Sequence, residues 1–323
     1  YGPHLWLDLR HLGEKHLTTK LREVFDICRD FAGLNPATDL VPVQPTQHYS
    51  MGGVRVNKDG QAYSMAGLFA AGEAACWDMH GFNRLGGNSL AETVVAGRLV
   101  GRRVGEYASE TTLEMQTGLA FAAIRRAEAR ADDWLQRSGS GPNVYEIRDA
   151  MGETMMSKVG IFRTGDELEM AVAELDALLA DCDRAVLRCK APGMNPELTF
   201  ALRLKNMLRL AQVTAMGARD RTESRGAHYR SDYPLRNDAD WLCRTLVRWP
   251  ADETEPKFSY EPVGIIDLPP GHRGYGSDER IDMTQPIDDY NRRVPGEQAS
   301  HGRRETREPP GSRLRPKAWE SQT

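Results

Sequence analysis

The sequence predicts an α/β segment followed by an all-α region, a helical bundle, and then an irregular C-terminal tail. Three observations carry that expectation. Short β-prone pieces at 41–43, 53–56 and 67–71 precede a glycine-rich loop and a helix opening at Ser89. Beyond Ser109, four long stretches repeat apolar residues at helical spacing between Gly and Pro breaks. Over 277–323, nine basic and nine acidic side chains stand among few aliphatics, too little apolar surface to offset chain entropy, so this stretch is expected to be disordered or draped over a partner. At 323 residues and 40% hydrophobic content, the chain has room for two domains and a sizeable core.

The elements follow in order. Leu17, Leu21, Val24, Phe25, Cys28 and Phe31 recur at helical spacing, and Gly33 with Asn35-Pro36 supplies the stop, so 17–31 reads as one amphipathic helix. The β-prone pieces read as one sheet segment, with Asn57-Lys58-Asp59-Gly60 as a turn between two of them and the third strand, 67–71, ending at Gly72-Glu73. After the glycine-rich loop, Ser89 and Glu92 have capping-box spacing at the head of a helix running to about Glu106. Helical patterns then cover 112–137, 144–156, 166–188 and 196–216. A dense polar motif spans 221–238, an apolar stretch spans 241–249, and a last apolar piece at 263–268 precedes Pro269-Pro270-Gly271.

Composition excludes several function classes. With 42 Lys+Arg against 46 Asp+Glu, the formal charge of −4 offers no basic excess for nucleic acid and no polybasic character for a membrane surface. Five cysteines without a C-x-x-C pair argue against a disulfide framework and for a reducing compartment. No apolar run approaches the ~20 residues of a membrane helix. The start, Tyr1-Gly2-Pro3-His4, shows neither an initiator Met nor a signal peptide, so the chain is expected to begin inside something longer. His11 and His16 stand without further ligands nearby, so no metal site is expected. Cys182 and Cys189 fall seven apart and read as core on one helix face, and Met151, Met155, Met156 and Met170 as packing residues. Glu223, Arg225, His228, Arg230, Asp232 and Arg236 could form a second site, but a buried ion-pair network is the preferred reading.

Three segments carry residues suited to chemistry. In Gln47-His48-Tyr49-Ser50-Met51-Gly52-Gly53, an imidazole donor stands beside paired glycines that let backbone approach a ligand, although a buried structural histidine is equally consistent. Gly67 to Glu73 reads as a strand leaving a sheet with a carboxylate at its C-terminal end, where such sheets bind hydroxyl-bearing ligands; a surface glutamate is the alternative. The sharpest is His80-Gly81-Phe82-Asn83-Arg84-Leu85-Gly86-Gly87-Asn88-Ser89-Leu90. Its Arg84 offers a rigid fork for a carboxylate, and its glycines and helix opening supply backbone N–H groups and a positive dipole end. That combination suits anionic ligands and stabilises negative charge on a reduced flavin ring.

In this order and spacing, the three segments resemble the C-terminal half of the flavoprotein subunit of succinate dehydrogenase and fumarate reductase. Matches at Leu7-Asp8-Leu9-Arg10-His11-Leu12-Gly13, Arg148-Asp149-Ala150-Met151-Gly152, the stretch from Arg221 to His228 and Leu268-Pro269-Pro270 extend the resemblance over roughly residues 5 to 276. It implies the C-terminal part of a Rossmann-like FAD-binding domain at 43–108, preceded by the end of a capping domain at 1–42. A helical domain at 109–220, a C-terminal domain at 221–276 and the tail at 277–323 would follow.

The implied activity is hydride transfer between flavin N5 and the C2–C3 unit of succinate or fumarate. The resemblance implies that His48 and Arg84 bind dicarboxylate oxygens. It also implies that FAD contacts fall on Tyr49, Glu73, Asn88, Ser89 and Leu90, with the Gly86-Gly87 turn beside them. The family's G-x-G-x-x-G fingerprint, its flavin-linking histidine and its proton-delivering arginine have no counterpart here. No catalytic residue is therefore assigned within the chain, and the chain alone is expected to be inactive. Flavin gives up two electrons and the chain carries no cysteine cluster, so an iron–sulfur subunit is implied, with a membrane anchor subunit beyond it. The resemblance thus expects a peripheral protein on the cytoplasmic face of the inner membrane. L-aspartate oxidase, which uses similar histidine, arginine and glycine elements, is the alternative within enzymes. A non-catalytic assembly module is the alternative outside them.

Overall fold

The computed structural model describes residues 4–44, 48–111, 117–191, 193–250 and 253–263. The expected tail at 277–323, Leu268-Pro269-Pro270 and all of the 263–268 piece except Val263 lie outside the described residues. The chain divides into two compact units, Tyr1–Tyr49 and Ser50–Thr323.

In the first unit, strand β1 (Leu5–Leu7) pairs antiparallel with β2 (Val41–Val43), Leu5 opposite Val43 and Leu7 opposite Val41. Between them run α1 (Glu14–Lys20) and α2 (Arg22–Ala32). The single helix expected over 17–31 is therefore two, broken at Leu21, whose φ of −123° and ψ of 34° leave the helical region. The Thr18 and Thr19 hydroxyls donate back to the carbonyls of Glu14 and Lys15 at 2.8 and 2.7 Å, a back-bonding that bends helices just where α1 stops. Gly33 ends α2 in the left-handed conformation, as its position after the periodic residues predicts.

In the second unit the sheet is smaller than expected. Strand β3 (Val54–Arg55) pairs in parallel with β4 (Ala75–Cys76), while β2 pairs with β1 and not with this sheet. The turn at Asn57 forms as expected, its side-chain oxygen accepting from the N–H groups of Asp59 and Gln61 at 2.9 and 3.1 Å. The 67–71 piece is not a strand. Gly67 and Gly72, at φ 77° and 64°, turn the chain at either end, and the piece contributes only an isolated bridge between Phe69 and Gln61.

Helices follow: α3 (Asn88–Glu110), α4 (Thr117–Gln136), α5 (Val144–Lys158), α6 (Gly165–Arg184) and α7 (Pro196–Asp220). Their starts are locally encoded. Asn143 and Glu146 form a capping box on α5, Thr164 caps α6, and Asn195 caps α7 with Pro196 in its first turn. Helix α6 packs against α5 and α7, α5 also touches α7, and α4 joins through α7. The core between them sets Val144, Ile147, Leu168, Leu175, Leu204 and Leu208 against Ala171, Ala201, Ala211 and Ala215, large side chains meeting small ones so that the helices approach closely. Cys182 is buried in α6, but Cys189 is exposed beyond that helix's end, because the chain turns extended at Ala185 and the presumed shared face is lost. Met151 and Met155 pack against the core as expected, whereas Met156 and Met170 are exposed.

Buried Glu197 shows how polar groups are carried inside. Burial opposes its charge, yet hydrogen bonds from the Cys189 N–H at 2.7 Å, the Asn143 amide at 2.5 Å and the Arg188 N–H at 3.1 Å hold its carboxyl below the usual range. It thereby ties the start of α7 to the start of α5.

The 241–249 stretch resolves into a helical turn, α8 (Asp238–Trp241), and strand β5 (Cys243–Arg248), which pairs antiparallel with β6 (Lys257–Pro262). The polar motif between α7 and this hairpin forms the buried ion-pair network preferred from the sequence. Glu223 is fully buried and accepts four hydrogen bonds: from Arg221 Nη1 at 2.6 Å, Arg225 Nε at 2.8 Å, Arg225 Nη2 at 3.0 Å and the Asn237 N–H at 2.8 Å. Arg221 also donates to the carbonyls of Trp241 and Cys243, and its guanidinium lies 4.8 Å from the ring centres of both Phe82 and Trp241. Asp238 pairs with Arg225 and Arg236, and Asp232 pairs with Arg230.

His228 completes the cluster. Its Nδ1 lies 2.7 Å from Arg163 Nη1, which can only donate, so the ring proton sits on Nε2 and points at the Arg221 carbonyl 3.3 Å away. Burial, then the Arg163 charge, lower its pKa from 6.5 to about 4.

Two outcomes follow. Glu223→Gln removes the charge that neutralises Arg221 and Arg225, and is expected to destabilise the protein by about 3–5 kcal/mol in chemical denaturation. Because the native state resists protonating His228, the stability this ring confers is complete above pH 6.5 and falls as pH drops toward about 4. Between about pH 7.5 and pH 5, the native protein should lose about 2 kcal/mol more than a His228→Gln variant, read from paired denaturation curves.

Candidate functional site

The candidate site is the segment that leaves β4 and climbs into α3. Its entry is held by ion pairs. Asp78 adopts φ 69°, unusual for a residue with a side chain, and its carboxylate pairs with Arg55 at 3.1 Å and with Arg244. Glu261 pairs with the same two arginines at 3.3 and 3.1 Å, so two strands of the hairpin and one of the parallel sheet converge on this bend. Burial works against the Arg55 charge, but Glu261 and then Asp78 hold its pKa above the ordinary arginine value.

Next the chain turns through Phe82. The Phe82 carbonyl accepts from the Ala227 N–H at 3.3 Å while its ring covers Arg221, so the polar network seats directly on the loop. Arg84 follows two residues later, half-buried, with Nη1 3.5 Å from the Leu85 carbonyl. Gly86, Gly87 and Asn88 are exposed, and a Cβ on either glycine would meet nothing within 4 Å.

Gly87, at φ 81°, is the N-cap of α3, with no capping side chain and no acidic residue in the first turn. The expected Ser89–Glu92 capping box is absent, because with Gly87 as cap the third helical position is Leu90 and not Glu92. Glu92 instead reaches back to His80, 2.7 Å between Oε2 and Nε2. The Asn88 N–H is taken by the Leu85 carbonyl at 3.1 Å, so the helix mouth presents the backbone N–H groups of Ser89 and Leu90 with the positive dipole end behind them, and any anion there would meet no competing carboxylate of the first turn.

Arg84, Gly86, Gly87, Asn88, Ser89 and Leu90 thus share one loop–helix junction. Glu73 lies exposed in a one-turn 3-10 helix (Gly72–Ala74), where its Oε1 accepts from the Ser50 N–H at 2.9 Å. His48 is exposed and Tyr49 half-buried, both at the end of the first unit. Asp78 has no signal in the sequence, His80 and Phe82 stand there only as members of the glycine-rich segment, and Glu92 reads there as a cap, since their actual partners lie between twelve and more than a hundred residues away. Among the described residues no group of His, Cys, Asp and Glu could hold a metal ion.

These features can be set beside known proteins. Residues 1–90 match an FAD binding domain, and residues 148–275 match the family described as fumarate reductase flavoprotein C-term. Over 85% of its length the chain is 43% identical to the fumarate reductase flavoprotein subunit of Helicobacter pylori, covering 43% of that protein. It is 41% identical to the corresponding subunit of Mycobacterium tuberculosis, covering 48% of it. A solved Escherichia coli quinol fumarate reductase superposes on 85% of this chain and 47% of its own with a TM-score of 0.77 at 36% identity. The chain belongs to the succinate dehydrogenase and fumarate reductase flavoprotein family. It spans less than half the length of these curated relatives.

Gly53 supplies one test of how the site is assembled. It sits at φ 115°, and a Cβ there would stand 2.4 Å from the Ala74 carbonyl oxygen, one residue past Glu73. Gly53→Ala is expected to push β3 off β4, lowering stability by about 2 kcal/mol or more and weakening flavin retention in the complete subunit, read by thermal denaturation and flavin absorbance.

Proposed function

We propose that this chain forms the dicarboxylate-facing part of an FAD-dependent flavoprotein subunit that interconverts succinate and fumarate. The observation that carries the reading is Arg84 on a loop feeding an uncapped helix mouth, a carboxylate fork beside an anion-accepting dipole end. The residues fit FAD: Gly86 and Gly87 leave backbone open, no acidic side chain blocks the first turn of α3, and Glu73 offers a carboxylate for hydroxyls. When bound, FAD supplies the hydride chemistry at N5.

The chain's own residues then bind and orient. Arg84 would grip one substrate carboxylate with its paired donors, and His48 would donate to a carboxylate oxygen. Such donors would fix the carboxylate and polarise the C2–C3 unit toward carbanion character. Tyr49, Glu73, Gly86, Gly87, Asn88, Ser89 and Leu90 would hold the cofactor. The reading assigns turnover to the whole flavoprotein and gives residues 1–323 no activity of their own. It divides this part into the end of a capping domain at 1–42, the close of a Rossmann-like domain at 43–108, a helical domain at 109–220, a C-terminal domain at 221–276 and a tail beyond.

An iron–sulfur subunit would take the electrons and a membrane anchor would relay them to quinone. The reading places the protein peripherally on the cytoplasmic face of the inner membrane; no helix among the described residues is long and apolar enough to cross a membrane.

The test uses the complete subunit. Arg84→Lys keeps the charge and loses the fork, so kcat/KM for fumarate or succinate should fall roughly a hundredfold or more at normal flavin content. His48→Ser should raise KM and lower kcat together. Near-normal turnover in Arg84→Lys would overturn the reading.

A further inference from the structure

The loop that presents Arg84 is closed at its base by a pair of side chains that the proposed substrate contacts do not use. His80 opens the loop, Glu92 stands in the second turn of α3, and Nε2 and Oε2 meet at 2.7 Å. The Glu92 side chain is 2% exposed and the His80 side chain 12%. A carboxylate so thoroughly buried near the head of a helix is costly unless hydrogen-bonded, and here it is not used to cap its own helix. It is aimed across a twelve-residue span that contains Arg84, the glycine turn and the helix mouth. Inside that span the backbone is fastened at two further points, Asn83 N–H to the His80 carbonyl at 3.2 Å and Asn88 N–H to the Leu85 carbonyl at 3.1 Å.

Each fastening is local, and each needs its anchor held. Fixing His80 to Glu92 fixes the first anchor to the rigid helix, so the position of Arg84 is referred to α3 from both sides. We infer that His80 and Glu92 are a positioning dyad that holds Arg84 in the orientation its carboxylate partner requires. The inference rests on the reading of Arg84 as a dicarboxylate-binding residue.

A fork displaced by about 1 Å is enough to cost on the order of a hundredfold in a well-oriented reaction, so the dyad should be visible in kinetics without touching substrate. In the complete subunit, Glu92→Ala is expected to lower kcat/KM by roughly ten- to a hundredfold with flavin content retained. Glu92→Gln, which keeps an acceptor for His80, should recover most of that loss. The same Glu92→Ala change made on top of Arg84→Lys should have little further effect, because the fork it positions is already gone.

The outcomes separate the two readings. If Arg84→Lys alone is active, the substrate reading fails and the dyad's purpose fails with it. If Arg84→Lys is impaired but Glu92→Ala turns over normally, only the dyad inference is overturned. Equal losses from Glu92→Ala in both backgrounds, or loss of flavin from Glu92→Gln, would make the pair a general structural support and overturn the inference as well.

Discussion

The Glu223 carboxylate, fully buried and ringed by four donors, is the interaction on which the second unit depends. Burying arginines is feasible only where a charge of opposite sign is buried with them, and Glu223 supplies it for Arg221 and Arg225. Once Arg221 is neutralised it can bond the carbonyls that close α8 and open β5, and its flat guanidinium can lie against the rings of Phe82 and Trp241. The end of α7, the C-terminal hairpin and the glycine-rich loop are thereby brought to one point. The loop that carries Arg84 thus rests in part on charge buried elsewhere in the sequence.

That arrangement explains which parts of the molecule can be read from the sequence. The starts of α5 and α7 are legible because Asn143 with Glu146, and Asn195 with Pro196, are local devices within a few residues of what they cap. The loop–helix junction around Arg84 is legible for the same reason, since glycines followed by a helix opening form a short-range signal. Residues 67–71 mislead because an apolar run bounded by glycines has the composition of a buried strand, whereas the left-handed glycines turn the chain at both ends and leave it an isolated bridge to Gln61 in place of a ladder. Strand β6 escapes notice because Lys257 and Glu261 flank its only two aromatics, leaving too short an apolar signal, although Phe258 and Tyr260 alternate as a strand requires. Glu92 misleads most usefully: its spacing from Ser89 imitates a cap, and only the tertiary fold shows the carboxylate turned toward His80.

Substrate-binding loops are often positioned by a scaffold and left otherwise free. Here the loop is fastened at three places of different chemistry. Ion pairs hold Asp78, a cation–π contact and a backbone hydrogen bond hold Phe82, and a histidine–carboxylate contact joins His80 to α3. Between these fastenings Arg84 and the exposed glycines retain access to solvent. Under the proposed reading of Arg84, rigidity at the base with openness at the tip would let this one arginine discriminate by geometry as well as by charge.

The distances along the chain between these fastenings have a consequence for synthesis. Asp78 waits for Arg244, 166 residues downstream, and Arg55 waits for Glu261, 206 residues downstream. At ribosomal rates of roughly 5–20 residues per second, about 8 to 40 seconds separate the appearance of Asp78 and Arg55 from that of Arg244 and Glu261. The helices α4 to α7 are made in that interval and can pack among themselves through short-range contacts. The Asp78 end of the loop is therefore fastened last although it is translated early, and a ribosome stalled before the hairpin would hold a chain with a folded helical core and an unset loop entry.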